Sequence, residues 1–372
     1  VGHIMDAREE VYRALAERLN RNPVGAPVND VLLDILHRLY TGSEALVGSK
    51  FPLAPMTLEK LAGVTGVKKE TLGALLENMA RKGLVLDFPR RDRTLYMLAP
   101  MVIGFFEYTF MRVRDGVNMK ELAELFEIYF KRPEVRDELF GGETKVFRTL
   151  AYEKVIAAAV ETEVLDYERA SQIIRESGGG AVSMCSCRHK AAHLGKACNA
   201  PVDVCTSLGN SAQWIVRRGL GRPATVDELL RVLDRAEKAG LVHLGDNVLN
   251  HPAFICHCCG CCCQVLSSMK ETGKLHATPS NFVPVVGGER EEATCTGCGA
   301  CAESCPVQAL TMGGAGGIKK PVVNEEMCIG CGVCAAACGA GFIRMFRRSG
   351  LTRPPGDKRE QLKRIAREKG RA

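Results

Sequence analysis

Cysteine decides what chemistry this chain could do. Eighteen of its 372 residues are Cys, and a thiolate is a soft ligand for transition metals and iron–sulfur clusters. Eight of them form two runs of matched spacing. The first is Cys295-x2-Cys298-x2-Cys301-x3-Cys305, and the second is Cys328-x2-Cys331-x2-Cys334-x3-Cys338. Small residues between the thiols let the backbone curl around a cubane and aim amide N–H groups at its sulfurs, which helps set the potential. Two zinc sites or a pair of redox dithiols are the competing readings, and duplicate runs with the same internal spacing favour two 4Fe–4S clusters. A cubane held by four cysteines has no open coordination position, so these runs imply single-electron transfer and no substrate activation of their own.

Ten further cysteines lie upstream. Cys185-Ser-Cys187-Arg188 is followed by Cys198 and Cys205, with loop formers such as Gly195 and Pro201 between them. Four thiols this close fit one metal site, and the C-x-C opening differs from the C-x2-C of common zinc ribbons. A third iron–sulfur cluster is the preferred occupant and zinc the alternative. Arg188 beside thiolates would offset cluster charge, while His189 and His193 read as surface or supporting residues. The densest block is Cys256-His257-Cys258-Cys259-Gly260-Cys261-Cys262-Cys263. Its six thiols are too many for one cubane, and contiguous cysteines on a strand alternate sides, so neighbours could serve different centres. The block could complete the 185–205 site, hold a separate cluster, or carry an exposed iron that binds a small molecule. A structural zinc knot is the bland alternative.

The stretch from about Arg290 to Phe346 resembles the two-cluster bacterial-type ferredoxins, in which the fourth cysteine of each run ligates the other cluster. The resemblance implies Cys295, Cys298, Cys301 and Cys338 around one cluster, and Cys328, Cys331, Cys334 and Cys305 around the other. Gly339 stands where that family usually has proline, which changes the turn after Cys338 but removes no ligand. Cys258-Cys259-Gly260, ahead of Cys295-x2-Cys298, resembles half of the CCG motif of heterodisulfide reductase subunits, which hold noncubane catalytic clusters. The upstream cysteine of that motif is absent at its expected distance. The region from about Ala181 to Cys263 is similar to a recurring module of uncharacterised cysteine-rich 4Fe–4S proteins. The C-x-C-R-H run, the Cys198/Cys205 pair, His243-Leu-Gly-Asp-Asn247 and the cysteine block carry that likeness, which brings no assigned activity.

These thiols need a scaffold. At about 150 residues per domain the length suggests two or three domains, and 46% hydrophobic with 25% charged residues is ordinary for a chain with buried cores. Val1 to Met5 reads as a cloning scar. No charged-then-apolar leader and no long apolar run is seen, so a cytoplasmic protein with no membrane span is expected, its thiols reduced and free for metal.

Residues 1–100 read as mostly helical. Val31, Leu32, Ile35, Leu36 and Leu39 recur at helical spacing. Thr57 caps a short helix to Gly63, and a turn runs from Gly63 to Gly66. A helix over 67–82 follows, with Leu72, Leu75, Leu76 and Met79 on one face, and Gly83 stops it. Strands Leu84–Leu86 and Thr94–Leu98 then flank the basic loop 89–93. The order over 56–98 resembles a winged helix-turn-helix. The exposed start of the second helix offers Lys68, Lys69, Glu70 and Thr71, which lack the best base-reading side chains, so DNA binding is the weaker reading beside a scaffold.

Residues 101–176 read as a helical connector, with helices over 119–130 and 145–160. Residues 177–289 form the cysteine-rich metal-binding domain, 290–346 the dicluster ferredoxin domain and 347–372 a basic tail. Within the cysteine-rich domain, Thr225-x2-Glu228 caps a helix to Gly240 with Leu229, Leu230, Leu233 and Ala236 inward, and a strand follows at Leu241–Leu244. The Gly313–Gly317 run does not both follow a strand and open a helix, so it is no nucleotide loop. From Arg344 to Ala372 eleven basic residues face three acidic ones, so this stretch carries +8 of the net +7 and the rest sums to −1. The tail reads as a solvated helix, or as a docking arm for an acidic partner. The fold class is α+β: winged-helix-like domain, helical connector, cysteine-rich domain and ferredoxin-like dicluster domain.

The functional reading is a multi-cluster iron–sulfur protein. It would hold two 4Fe–4S clusters and one or two further clusters, and would pass single electrons to or from a partner oxidoreductase. The alternatives are a reductase with its own site near 256–263, and a redox-sensing DNA-binding regulator. A flavin, which binds without a fixed motif, stays compatible. Oxygen sensitivity and an anaerobic setting are expected, and the sequence leaves the oligomeric state open.

Overall fold

The structure, a computed structural model, describes residues 2–114, 116–272, 278, 280–287, 294–314, 318–350 and 353–371, with the backbone alone for 2–8 and 272. Val1, part of the expected cloning scar, lies outside them, and from Gly2 the chain already runs in the helix Gly2–Asn20. The helix Asp30–Leu39 buries Val31, Leu32, Ile35, Leu36 and Leu39, as its spacing requires. Thr57 accepts a hydrogen bond from the Lys60 N–H and opens Leu58–Thr65. That helix continues through Gly63, where a Cβ would meet nothing, and turns only at Gly66, φ 73°. The expected 63–66 turn is thus a left-handed cap at one glycine. Lys69–Lys82 buries Leu72, Leu76 and Met79 and ends on left-handed Gly83.

Val85–Pro89 and Thr94–Leu98 pair antiparallel, and Met56–Thr57 adds a third strand. The hairpin is clamped to the rest of the molecule. Buried Asp87 accepts from Trp214 Nε1 and Arg218 Nε, both at 2.9 Å, and pairs with Arg217 at 3.2 Å. At the start of the second helix, Lys69 is paired with Glu59 at 2.6 Å.

The expected connector is only partly helical. Met119–Lys131 forms, with Leu122, Phe126 and Phe130 buried. Instead of a helix over 145–160, Phe147–Leu150 is a strand buried on both faces and paired to Val242–Asp246. With all four residues covered, the strand shows no alternation of polar and apolar side chains that sequence could reveal. It joins an antiparallel six-stranded sheet in the order Phe147–Leu150, Val242–Asp246, Phe254–Cys258, Cys205–Leu208, Gly180–Ser183, Gly221–Ala224. The helices Ala170–Glu176 and Val226–Lys238 contribute Ile173, Ile174, Leu229 and Leu233 to the core against it. Within Val226–Lys238, Val232 takes the inward place expected of Leu230, which is half-buried.

The C-terminal cysteine runs sit in a small two-fold repeat. Phe282–Val286 pairs with Ile343–Arg347, and Leu310–Gly313 with Lys320–Val323. The first of these strands lies ahead of the expected boundary at 289/290, whose own residues are outside the described set. The Gly313 run follows the strand Leu310–Gly313, and the next described element is its antiparallel partner, not a helix; residues 315–317 lie outside the described set.

The basic tail forms a helix with one face packed on the body and the other solvated, Lys363, Arg364 and Arg367 being exposed. Lys358–Glu368 lies against the body, and fully buried Gln361 donates to the carbonyls of Lys145, Val146 and Asn247. Lys358 pairs with Asp246, and Lys369 and Arg371 pair with Glu138 at 2.7 and 2.6 Å. Part of this charge is thus met by the chain's own acidic surface. Among the described residues no helix is long and apolar enough to cross a membrane.

Candidate metal centres

The two C-terminal runs have the same local build. Gly297 N–H donates to Cys295 Sγ, and at the matching place Gly330 N–H donates to Cys328 Sγ, both at 3.4 Å. Gly297, Gly299, Gly330 and Gly332 all have positive φ, between 66° and 83°, which bends each run so that its thiols converge. At Gly330 there is no room besides: a Cβ would stand 2.1 Å from the Phe282 carbonyl oxygen. Cys301 lies near Cys338 and Cys295, and Cys334 lies near Cys328, Cys305 and Cys301.

The two cages differ in exposure. Cys298 is exposed, whereas Cys331 and Cys334 are buried. Burial, then the charges of Cys328 and Cys305, push the Cys334 thiol up to about 12. Thiols this hard to ionise alone are suited to a bound cationic cluster, which removes the repulsion and holds them as thiolates.

The ten upstream thiols do not divide as the sequence suggested. Cys198 leaves Cys185, Cys187 and Cys205 and joins Cys259, Cys261 and Cys262. Cys198 Sγ lies 3.6 Å from Cys259 Sγ and 3.8 Å from Cys262 Sγ, and Cys261 lies 3.7 Å from Cys262. All four sulfurs are within 4.8 Å of one another. The other six make a chain of buried and half-buried neighbouring thiols, Cys205–Cys256–Cys258–Cys263–Cys187, with Cys185 beside Cys256 and Cys263.

Tertiary packing explains the split. Cys185 precedes the helix Ser186–His193, and Cys205 opens a strand next to Phe254–Cys258. Cys256 and Cys258 share one side of that strand and His257 takes the other. Only this part of the block is a strand; Cys259–Cys263 turns into the helix Gln264–Thr272. Lys190, 2% exposed, ties the Cys187 helix to the helix that follows Cys263, bonding Glu127 at 2.6 Å and Gln264 at 2.8 Å. Arg188 is buried between the two groups and donates to the carbonyls of Pro201 and His257. Against the opposing effect of burial, the thiolates of Cys185 and Cys259 hold its guanidinium firmly charged. His189 bonds the Phe110 carbonyl at 2.8 Å and faces His193 at 3.2 Å, a supporting pair as expected.

Three features escaped the sequence. His243 and His257 meet across their strands at 2.8 Å, Nδ1 to Nδ1, with the Tyr152 ring 4.9 Å from His243. His257 was visible as the residue between two cysteines, but its partner depends on strand register. The second feature is a cavity of about 920 Å³ whose wall includes Cys205, Cys256, Glu107, Tyr108 and Trp214. Glu107, half-buried there, is pushed up to about 8 by loss of solvent. No local signal marks it. The third is the junction between the cysteine regions. A Cβ on Gly260 would stand 2.2 Å from the Pro306 carbonyl oxygen, and Tyr152 N–H donates to the Cys331 carbonyl. Cys258 and Cys263 share one core with Cys301, Cys331 and Cys334.

Residues 294–342 match the family model of the 4Fe-4S dicluster domain. The match reaches neither the 56–98 segment nor Cys258-Cys259-Gly260, whose two cysteines fall in different thiol groups. No curated protein and no solved structure matches the chain. The chain thus carries an iron–sulfur dicluster domain, and iron–sulfur electron transfer is the activity that domain brings.

Proposed function

We propose that this is a multi-centre electron-transfer protein, exchanging single electrons with a partner oxidoreductase through the dicluster domain and relaying them to a third iron–sulfur centre in the six-thiol group. When bound, such clusters supply one-electron storage and transfer. The observation that carries the reading is the shared buried core in which Cys258 and Cys263 of the six-thiol group pack with Cys301, Cys331 and Cys334 of the dicluster. Exposed Cys298 marks the side on which a partner docks. The cages are held by Cys295, Cys298, Cys301 and Cys338, and by Cys328, Cys331, Cys334 and Cys305. Cys185, Cys187, Cys205, Cys256, Cys258 and Cys263 supply the third centre, with Arg188 offsetting its charge. The segment 56–98 is a scaffold in this reading, since Asp87 is occupied by Trp214 and Arg218.

The test is iron and acid-labile sulfide per chain after oxygen-free purification, with a reductive titration followed by electron paramagnetic resonance. About twelve irons and three reducible centres are expected. About eight irons would confine the redox function to the dicluster domain, and a colourless preparation would end the reading.

The cavity favours a second reading, an oxidoreductase whose own active site is the six-thiol centre. Cys205 and Cys256 reach its wall, and Glu107 beside them is suited to deliver a proton near neutral pH. Here the pre-reduced protein, without any partner, would be reoxidised by one member of a panel of quinones, disulfides and N-oxides. Cys205→Ser would abolish that reaction.

A further inference from the structure

The four-thiol group has a geometry of its own. Among the described residues it is the one set of three or more Cys, His, Asp or Glu side chains whose donor atoms all lie within 4.8 Å of one another. Neither dicluster cage closes so tightly, although its cysteines are placed to hold a cubane. The reason is stoichiometric. In a cubane each thiolate caps a different iron, so the sulfurs stand apart across the whole cluster. Around a single ion all four sulfurs share one centre. With metal–sulfur bonds of about 2.3 Å, the corners of a tetrahedron are about 3.8 Å apart. Three of the six separations are 3.6, 3.7 and 3.8 Å, and the other three lie within 4.8 Å.

We propose that Cys198, Cys259, Cys261 and Cys262 hold one mononuclear metal ion, a structural zinc, separate from every iron–sulfur centre of the chain. Binding Zn²⁺ displaces four thiol protons and leaves a site of charge −2, which Arg188 partly offsets from beside Cys259. Four protein ligands close the coordination sphere, so the ion takes no substrate and moves no electron.

Its position gives it a task. Cys198 comes from the loop after Ser186–His193, and the other three ligands come from the turn between Phe254–Cys258 and Gln264–Thr272. One ion therefore pins the loop that carries Gly260 against Pro306 and fixes the ends of the segments that bear Cys187, Cys258 and Cys263. This goes beyond the electron-transfer reading and does not depend on it.

The test uses the full chain, expressed with both iron and zinc supplied and purified without oxygen. Elemental analysis is expected to find about one zinc per chain, retained after ferricyanide has destroyed the iron–sulfur centres. Cys198→Ser and Cys261→Ala should each lower zinc at least fivefold. Cys187→Ser, in the other group, should leave it unchanged, and Cys261→His should keep it, because three Cys and one His is an established zinc set. Zinc retained in both loss variants would overturn the assignment. So would a wild-type chain without zinc whose ferric resonance is that of a mononuclear tetrathiolate iron. Where the variants fail to fold, X-ray absorption of the wild type decides: four sulfurs at about 2.3 Å support the site, and a shell of mixed nitrogen and oxygen refutes it.

Discussion

The two cysteine-rich regions reach their thiol clusters by opposite routes. The dicluster domain gathers eight thiols from one stretch, 295–338, by repeating one local bend in which Gly297 matches Gly330 and Gly299 matches Gly332. The upstream region draws its thiols from a helix start, a loop, two strands and a turn, brought together by sheet neighbours and buried ion pairs. A locally coded cage is fragile to changes inside it and indifferent to most changes outside. A cage coded by tertiary contacts fails when distant packing fails.

The sharpest way to break this contrast is to remove one thiol from each region. Cys334→Ala should lose about four irons per chain, one cubane, since Cys334 is buried with Cys328 and Cys305 and nothing nearby replaces it. Cys187→Ser should leave all dicluster iron in place and remove only the third centre. Iron analysis with resonance spectra of each reduced variant checks both. Loss of dicluster iron from Cys187→Ser would show that the two regions are one cooperative unit.

The junction gives the next largest effect. At Gly260 an added methyl would stand 2.2 Å from the Pro306 carbonyl oxygen, and backbone cannot step aside cheaply. Gly260→Ala should destabilise the chain by about 1–3 kcal/mol and slow electron equilibration between the third centre and the dicluster. Gly339→Ala is the matched control. A Cβ there would meet nothing within 4 Å, so its effect should stay within about 0.5 kcal/mol. Thermal midpoints of both variants, with stopped-flow reduction of the first, decide the matter.

The same contrast explains what could be read from sequence. The C-x2-C-x2-C-x3-C runs were legible because spacing alone builds their cages. The helices Asp30–Leu39, Lys69–Lys82 and Val226–Lys238 were legible through periodicity and the caps at Thr225 and Gly83. The grouping of the ten upstream thiols was not. Cys258 and Cys259 are adjacent yet serve different groups, and Cys198 finds its partners some sixty residues away. Phe147–Leu150 was hidden for a related reason: a strand covered on both faces has no period-two signature. The tail's packed face was hidden because the acids that fold against it, Glu138 and Asp246, lie far away in sequence.

Lys190 tests the tertiary route at its centre. It is 2% exposed and joins the Cys187 helix to Glu127 and to Gln264, the residue after Cys263. Burial disfavours the Glu127 charge, but Lys190 and its neighbours more than compensate and hold its carboxyl down at about 2. Lys190→Met should cost about 1–3 kcal/mol, less than a fully buried pair because Lys131 and Lys196 still face Glu127. Denaturant unfolding should recover part of that loss in Lys190→Met with Glu127→Gln. The dicluster resonances should be unchanged throughout.

The smallest expected effect is at the tail, where ion pairs add to the packing of Gln361, Ile365 and Ala366 and pH reports them. Burial disfavours the Glu138 charge, but hydrogen bonds from Arg371 and Lys369 outweigh it and hold the carboxyl below its ordinary value. A carboxylate whose folded value is lowered stabilises the fold fully above the unfolded value, about 4.3. That contribution fades as the pH falls through the lower folded value. Acidification from 6 towards 3 should therefore loosen Lys358–Glu368 before the six-stranded sheet responds, and hydrogen-exchange protection of the tail amides should drop first. Because acid also attacks clusters, Glu138→Gln at neutral pH is the cleaner arm. It should loosen the same helix by a few-fold in exchange rate with all iron retained, and acid should then add no further early step. An early step that persists in Glu138→Gln would show that a contact other than the Glu138 pairs carries the acid response, since the bonds from Gln361 to its three carbonyls do not titrate.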